Sequence, residues 1–159
     1  MTFKNKTIGI LGGGQLGKMT AIAAKKLGYH TFLYCPKGDN PAKYSVNEYI
    51  FGNWDDNKKL ELFGSKVDVI TSEFENIPAK TLDYLSKITK VYPSSFCFNI
   101  AQYRNKEKEM AAKSGFLIPK WYRIKSLEDL KRYSEILNHD CILKTNSLGY
   151  DGKGQINIS

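Results

Sequence analysis

The sequence predicts an α/β fold: a doubly wound, mainly parallel sheet, followed by the beginning of a second unit. Three observations carry this. From Thr7 to Tyr92, short runs rich in β-branched residues alternate with helix-patterned stretches, the rhythm of parallel strands joined by crossover helices. The first run, Thr7-Ile8-Gly9-Ile10-Leu11, passes directly into Gly12-Gly13-Gly14-Gln15-Leu16-Gly17, a GxGxxG segment in strand–turn–helix context. Near the other end, Cys141–Lys144 and Ile156–Ile158 flank Gly149-Tyr150-Asp151-Gly152-Lys153-Gly154-Gln155, which reads as two strands joined by a glycine-rich loop.

The elements follow in order. Beyond the first glycine segment, Leu16, Met19, Ala23 and Leu27 recur at helical spacing, with Gly28 as a C-terminal cap. Thr31–Tyr34 is the second strand and Glu48–Phe51 the third. Asn57–Phe63 is a helix stopped by Gly64, and Val67–Thr71 is the next strand. The run Ser72-Glu73-Phe74-Glu75-Asn76-Ile77-Pro78 leads into a helix over Ala79–Leu85, for which Pro78 is a suitable opening residue. At Pro93 the character changes. Helices are predicted over Phe96–Ala101 and from about Asn105 to Ser114, and a strand over Trp121–Ile124. Ser126-Leu127-Glu128-Asp129 resembles a capping box, with Asp for Glu, that opens a helix to Leu137.

Composition narrows the function classes. Hydrophobic residues at 42% and charged residues at 25% are ordinary for a globular chain, and no apolar run reaches membrane-spanning length. The N-terminal residues run straight into the first strand, the pattern of a chain without a secretory signal. Cys35, Cys97 and Cys141 have no metal-binding or redox spacing and read as reduced, buried thiols. His30 and His139 stand alone, which argues against zinc. The net charge of +8 (24 basic, 16 acidic) is spread along the chain as pairs such as Lys25-Lys26. It fits solvated helix faces and anionic small molecules better than nucleic acid.

Three segments are candidate binding residues. The GGGQLG segment offers helix N-terminal N–H groups to an anion or serves close helix–sheet packing. A dinucleotide would also need a carboxylate at the end of the second strand. Tyr34-Cys35-Pro36 supplies none, and Asp39 lies beyond it in the next loop. Glu73 and Glu75, two residues apart, would hold an amine-bearing group or cap the following helix. The loop from Gly149 to Gln155 would cradle phosphates with its backbone N–H groups, helped by Lys144 and Lys153. The alternative for that loop is a glycine-rich hairpin that holds nothing.

Ile142-Leu143-Lys144-Thr145 followed by GYDGKGQ resembles the nucleotide loop of the N5-carboxyaminoimidazole ribonucleotide synthetase family, ATP-grasp ligases of purine biosynthesis. The resemblance runs from Ile8 to Gln155 and includes GGGQLG, the Glu73–Asn76 turn, Gln102-Tyr103-Arg104 and Leu117-Ile118-Pro119. Tyr103 stands where the family pattern has aspartate, which puts a local helix contact in doubt. The resemblance implies a Rossmann-like preATP-grasp domain over 1–93 and the first part of an ATP-grasp domain over 94–159. It implies ATP- and bicarbonate-dependent carboxylation of 5-aminoimidazole ribonucleotide, with ATP phosphorylating bicarbonate. ATP would be held by Arg104, Lys144, Gly149, Tyr150, Asp151, Gly152, Lys153, Gly154 and Gln155, with Tyr150 and Asp151 also facing bicarbonate or the acceptor in a catalytic role. The ribonucleotide would meet Gly14, Gln15, Leu16, Glu73, Glu75 and Asn76, its phosphate near Gln15. Family members are cytoplasmic, use Mg²⁺ and are usually homodimers. They continue well past Ser159, so the 159 residues are expected to be an N-terminal portion without turnover, lacking the Mg²⁺ ligands. Two other readings stay open: an NAD(P)-binding oxidoreductase domain, and a non-catalytic ligand-binding remnant.

Overall fold

The computed structural model describes residues 6–138, 140–149 and 152–158. The chain forms two compact units, Met1–Asn99 and Ile100–Ser159.

In the first unit a five-stranded sheet has the order β3-β2-β1-β4-β5, from β1 (Thr7–Leu11), β2 (His30–Cys35), β3 (Glu48–Phe51), β4 (Val69–Ser72) and β5 (Lys90–Val91). Every pairing is parallel. The crossover after β1 leads to one side and β4 lies on the other, so the order reverses at β1. Strand residues alternate between two cores, as the period of two demands. Leu11, Phe32, Tyr34 and Ile70 join Leu60, Phe63, Leu82 and Leu85, supplied by α2 (Asn57–Ser65) and α3 (Ala79–Ser86). Ile10, Leu33 and Cys35 join Ala21 of α1 (Gln15–Lys26) and Ala42 of a 3₁₀ turn, Pro41–Tyr44. The doubly wound architecture read from the sequence is present.

Three local expectations are corrected. Helix α1 buries Gly17, Ala21 and Ala24, whereas Leu16, Met19 and Leu27 are 59%, 57% and 72% exposed. A Cβ on Gly17 would lie 2.7 Å from the Gly12 carbonyl oxygen, so only small residues let the helix approach the sheet this closely. Gly64 does not stop α2. It lies inside the last turn, where a Cβ would press on Ile88 and Leu85 at 3.2 and 3.3 Å. Among the three cysteines only Cys35 is buried; Cys97 is exposed and Cys141 half-buried. Burial, then the charge of Glu73, pushes the Cys35 thiol up to about 11.

One edge of this unit is tied by charge. The Asp68 carboxylate accepts from Lys6 Nζ (2.5 Å) and from the Thr7 N–H (2.8 Å), and these bonds, the lysine first, hold its carboxyl below the usual range. A depressed folded-state pKa stabilises above the unfolded value and is lost as pH falls through the folded one. Unfolding titrations between pH 5 and pH 2 are therefore expected to show a steeper loss of stability for the parent chain than for Asp68→Asn.

The second unit contains α5 (Arg104–Lys113), α6 (Leu127–Ile136) and an antiparallel pair, β6 (Cys141–Lys144) with β7 (Gln155–Ile158); α4 (Ser95–Ala101) precedes them. Ser126 caps α6 by accepting from the Asp129 N–H at 3.1 Å, and Asp129 accepts in return from Lys125 N at 2.9 Å rather than from the cap residue itself. Trp121–Ile124 is not a strand. It has strand-like composition, but among the described residues it joins no ladder, and a strand requires a hydrogen-bonded partner. Tyr122 instead stacks on Tyr133 of α6, with ring centroids 4.3 Å apart.

Candidate functional site

The first candidate site lies where the strand order reverses. Ligands of open parallel sheets bind at the carboxyl ends of the strands beside such a reversal, here the ends of β1 and β4. Gly12-Gly13-Gly14 follows β1 and Glu73–Asn76 follows β4. The Glu73 N–H donates to the Leu11 carbonyl at 3.1 Å, which fixes the chain as it leaves β4. The Glu73 carboxylate then turns back, and the Gly14 N–H donates to its Oε1 at 2.9 Å. Gly14 is the N-cap residue of α1 and has no capping side chain of its own. Glu73 therefore supplies the negative charge that the positive end of that helix favours.

The glycines make room for this arrangement. A Cβ on Gly12, at φ +105°, would meet Glu73 Oε1 at 2.5 Å, and one on Gly14 would meet it at 3.1 Å. A Cβ on Gly13 would lie 2.1 Å from Asn40 Oδ1. Asn40 is buried, and its Nδ2 donates to the carbonyls of Pro36 and Gly38 at 2.9 and 3.2 Å. The approaches to the glycine turn are thus filled by the chain's own carboxylate and amide. A pyrophosphate entering there would meet like charge from Glu73, and β2 ends in Cys35 with no carboxylate to receive a ribose. The same repulsion opposes a substrate phosphate beside the Gly14 amide.

The two glutamates do different things. Residues 73–77 form a turn, not an extended run; Glu73 is half-buried on the glycine segment and Glu75 is exposed. Helix α3 has Pro78 as its N-cap residue, whose own side chain makes no capping bond, whereas Glu73 serves the start of α1. Gln15 and Leu16 are exposed, and Asn76 is half-buried.

The second candidate site is a cavity of about 1110 Å³ within the second unit. It brings together Arg104 at the start of α5, Lys144 at the end of β6, and Gly154 and Gln155 at the start of β7. Lys144 and Gln155 lie directly opposite each other in the ladder. Lys108, Lys120, Arg123 and Lys125 also line the cavity, where Asp140 is the one acidic residue among the described lining residues, so it suits an anion. Trp121, Tyr122 and Tyr133 give it aromatic surface.

The loop's neck is closed by the Thr145 N–H donating to the Gly154 carbonyl at 2.8 Å. Gly154 (φ +72°) admits the Thr145 side chain, since a Cβ there would sit 2.6 Å from Thr145 Oγ1. Gly149 and Gly152 lie within the loop, and Lys153 is exposed at its turn. Tyr150 and Asp151, the residues expected to be catalytic, fall outside the described residues. Leu148 carries φ +62° while 72% exposed, a left-handed backbone that a branched side chain rarely adopts.

Family models divide the chain between them. The model described as the ribonucleotide synthetase preATP-grasp domain matches residues 5–102, and the ATP-grasp domain model matches 109–159. The chain belongs to the ribonucleotide synthetase preATP-grasp family. The N5-carboxyaminoimidazole ribonucleotide synthase of Staphylococcus aureus strain COL is 40% identical over 153 residues, 96% of this chain and 41% of that protein. The S. aureus N5-carboxyaminoimidazole synthetase structure complexed with ADP matches at TM-score 0.91 and 40% identity, over 98% of this chain and 42% of that one. The Aspergillus clavatus carboxyaminoimidazole ribonucleotide synthase complexed with ATP matches at TM-score 0.83 and 25% identity, over 97% and 41%. The chain thus spans about two fifths of the length of these preATP-grasp relatives. The Rossmann-like sheet and the start of an ATP-grasp domain expected from the sequence are both present.

Among the described residues no group of three or more His, Cys, Asp and Glu could hold a metal ion. Among those residues no helix is long and apolar enough to cross a membrane.

Proposed function

We propose that this chain serves the carboxylation of 5-aminoimidazole ribonucleotide to N5-carboxyaminoimidazole ribonucleotide, a purine-biosynthetic ligase reaction driven by ATP and bicarbonate. The observation that carries the proposal is Glu73 seated on the Gly14 amide at the sheet reversal. A fixed carboxylate there suits a ligand that presents N–H groups, and the acceptor in this reaction is an exocyclic amine. Glu73 accepts a hydrogen bond from that amine and orients its nitrogen. Gln15, Leu16, Glu75 and Asn76 border the same edge. This orientation turns the amine, not the phosphate, toward the α1 N-terminus.

ATP takes the cavity of the second unit. Arg104, Lys144 and Lys153 supply positive charge, and the glycine loop Gly149–Gln155 supplies backbone donors to the phosphates, with Tyr150 and Asp151 in its catalytic part. The chemistry balances simply. A bicarbonate oxygen attacks the γ-phosphorus and ADP leaves; the amine nitrogen then bonds to the carboxyphosphate carbon as phosphate departs and the amine loses a proton. The protein's contribution is positioning and preorganised charge. Mg²⁺ would accompany ATP and offset the charge of its phosphates. A cytoplasmic homodimer that contacts neither nucleic acid nor membrane is the setting proposed by analogy with the family.

The test is calorimetric titration of the 159-residue chain with 5-aminoimidazole ribonucleotide. Glu73→Gln keeps an oxygen for the Gly14 N–H but removes the charge, and is expected to weaken binding about 20-fold, ~1.8 kcal/mol. The melting temperature should fall by only a few degrees. Unchanged affinity in the variant would remove the amine from Glu73.

A further inference from the structure

Helix α5 begins without a cap of its own. Its N-cap residue, Tyr103, makes no side-chain capping bond, since a tyrosine hydroxyl is carried too far from the backbone to serve the first turn. Its ring lies instead under Lys106 Nζ, 4.4 Å from the centroid. The first N–H groups of a helix nevertheless need acceptors. They find them in Asn146, two residues beyond the end of β6. The Arg104 N–H donates to the Asn146 carbonyl oxygen at 2.9 Å, and the Asn105 N–H donates to Asn146 Oδ1 at 3.1 Å.

We infer that Asn146 is the positioning residue for Arg104. It caps α5 and joins the helix that carries Arg104 to the strand that carries Lys144. Arg104, Lys144 and Asn146 all line that cavity, so the two cations that face a nucleotide are registered against each other through one residue, its carbonyl holding the Arg104 N–H and its side chain the Asn105 N–H. This rests on the reading that Arg104 contacts the ATP phosphates. The capping role follows from chemistry on both sides of the contact. Asparagine is among the strongest N-cap residues, and residue 103 cannot perform that task.

Calorimetric titration of the chain with ATP and with adenosine tests the inference in four variants. Arg104→Ala is expected to weaken ATP at least tenfold and adenosine less than twofold. Asn146→Ala is expected to weaken ATP about fivefold, again sparing adenosine. Tyr103→Asp gives α5 a local cap, so Tyr103→Asp with Asn146→Ala should bind ATP within twofold of the parent. The combined Arg104→Ala and Asn146→Ala variant should lose little beyond Arg104→Ala alone, because both act through one group.

If Arg104→Ala weakens ATP but Asn146→Ala does not, the positioning role is overturned and the nucleotide site stands. If Arg104→Ala leaves ATP unchanged, the phosphate contact itself fails and takes the inference with it. Equal losses of ATP and adenosine in Asn146→Ala would mark a purely structural residue and overturn the inference. Should Asn146→Ala fail to fold, the double variant with Tyr103→Asp decides: affinity within twofold of the parent supports the inference, and a loss above fivefold overturns it.

Discussion

Gly12→Ala is expected to lower the unfolding free energy by about 3 kcal/mol, combining left-handed strain with a displaced hydrogen bond. Two causes add at this position. The backbone sits at φ +105°, and the new methyl would fall 2.5 Å from Glu73 Oε1. The carboxylate must then leave the Gly14 amide. Gly28 provides the control, because it also has positive φ (+85°) but no atom within 4 Å of its Cβ position. Gly28→Ala should cost only about 1 kcal/mol, the backbone contribution alone. Urea unfolding of the two variants separates strain from clash. The clash should also abolish ribonucleotide binding in Gly12→Ala and leave it intact in Gly28→Ala. Equal destabilisation by both would mean that Glu73 yields its place without cost.

Lys144→Ala is expected to reduce ATP affinity about 30-fold, ~2 kcal/mol, while adenosine affinity changes less than twofold. Lys144 ends β6 opposite Gln155, where the ladder opens into the glycine loop. A cation fixed on a strand loses little freedom on meeting a phosphate, and the cavity carries few acidic residues to compensate its charge. Calorimetry with the two ligands checks the prediction. Losses of similar size for ATP and adenosine would place Lys144 away from the phosphates.

The fold was legible because its signals are local. Strand runs, glycine turns and the cap at Gly28 each follow from a few consecutive residues, and β1 through β5 appear where such runs lie. The spacing of Leu16, Met19, Ala23 and Leu27 predicts helix α1, yet these residues face outward. Its buried side is Gly17, Ala21 and Ala24, chosen by the tight approach to Gly12, which the spacing of the larger apolar residues does not reveal. Trp121–Ile124 has strand composition but joins no ladder, a matter decided by tertiary structure. Gly64 looked like a stop signal and is a packing contact. In each case the deciding contact is set by packing and not by the run of residues itself.

The site shows the same division. GGGQLG and GYDGKGQ announce themselves by composition, and Arg104 and Lys144 do meet in one cavity. The placement of Glu73 on Gly14 joins residues 59 positions apart, and it changes the meaning of the motif. The glycines that would admit a pyrophosphate in a dinucleotide fold admit a carboxylate here. Asn40 over Gly13 and Asn146 over α5 are likewise long-range placements without a sequence signature. Tyr103 gave the one available hint, since a helix that starts on tyrosine must find its cap elsewhere.

The most direct measurement is amide NMR of the ¹⁵N-labelled chain titrated in parallel with 5-aminoimidazole ribonucleotide and with NAD. The ribonucleotide is expected to shift the Gly14 and Glu73 amide resonances saturably, and NAD to leave them unmoved. Saturable shifts of Gly12–Gly14 with NAD, and none with the ribonucleotide, would contradict this expectation and return the glycine turn to a dinucleotide.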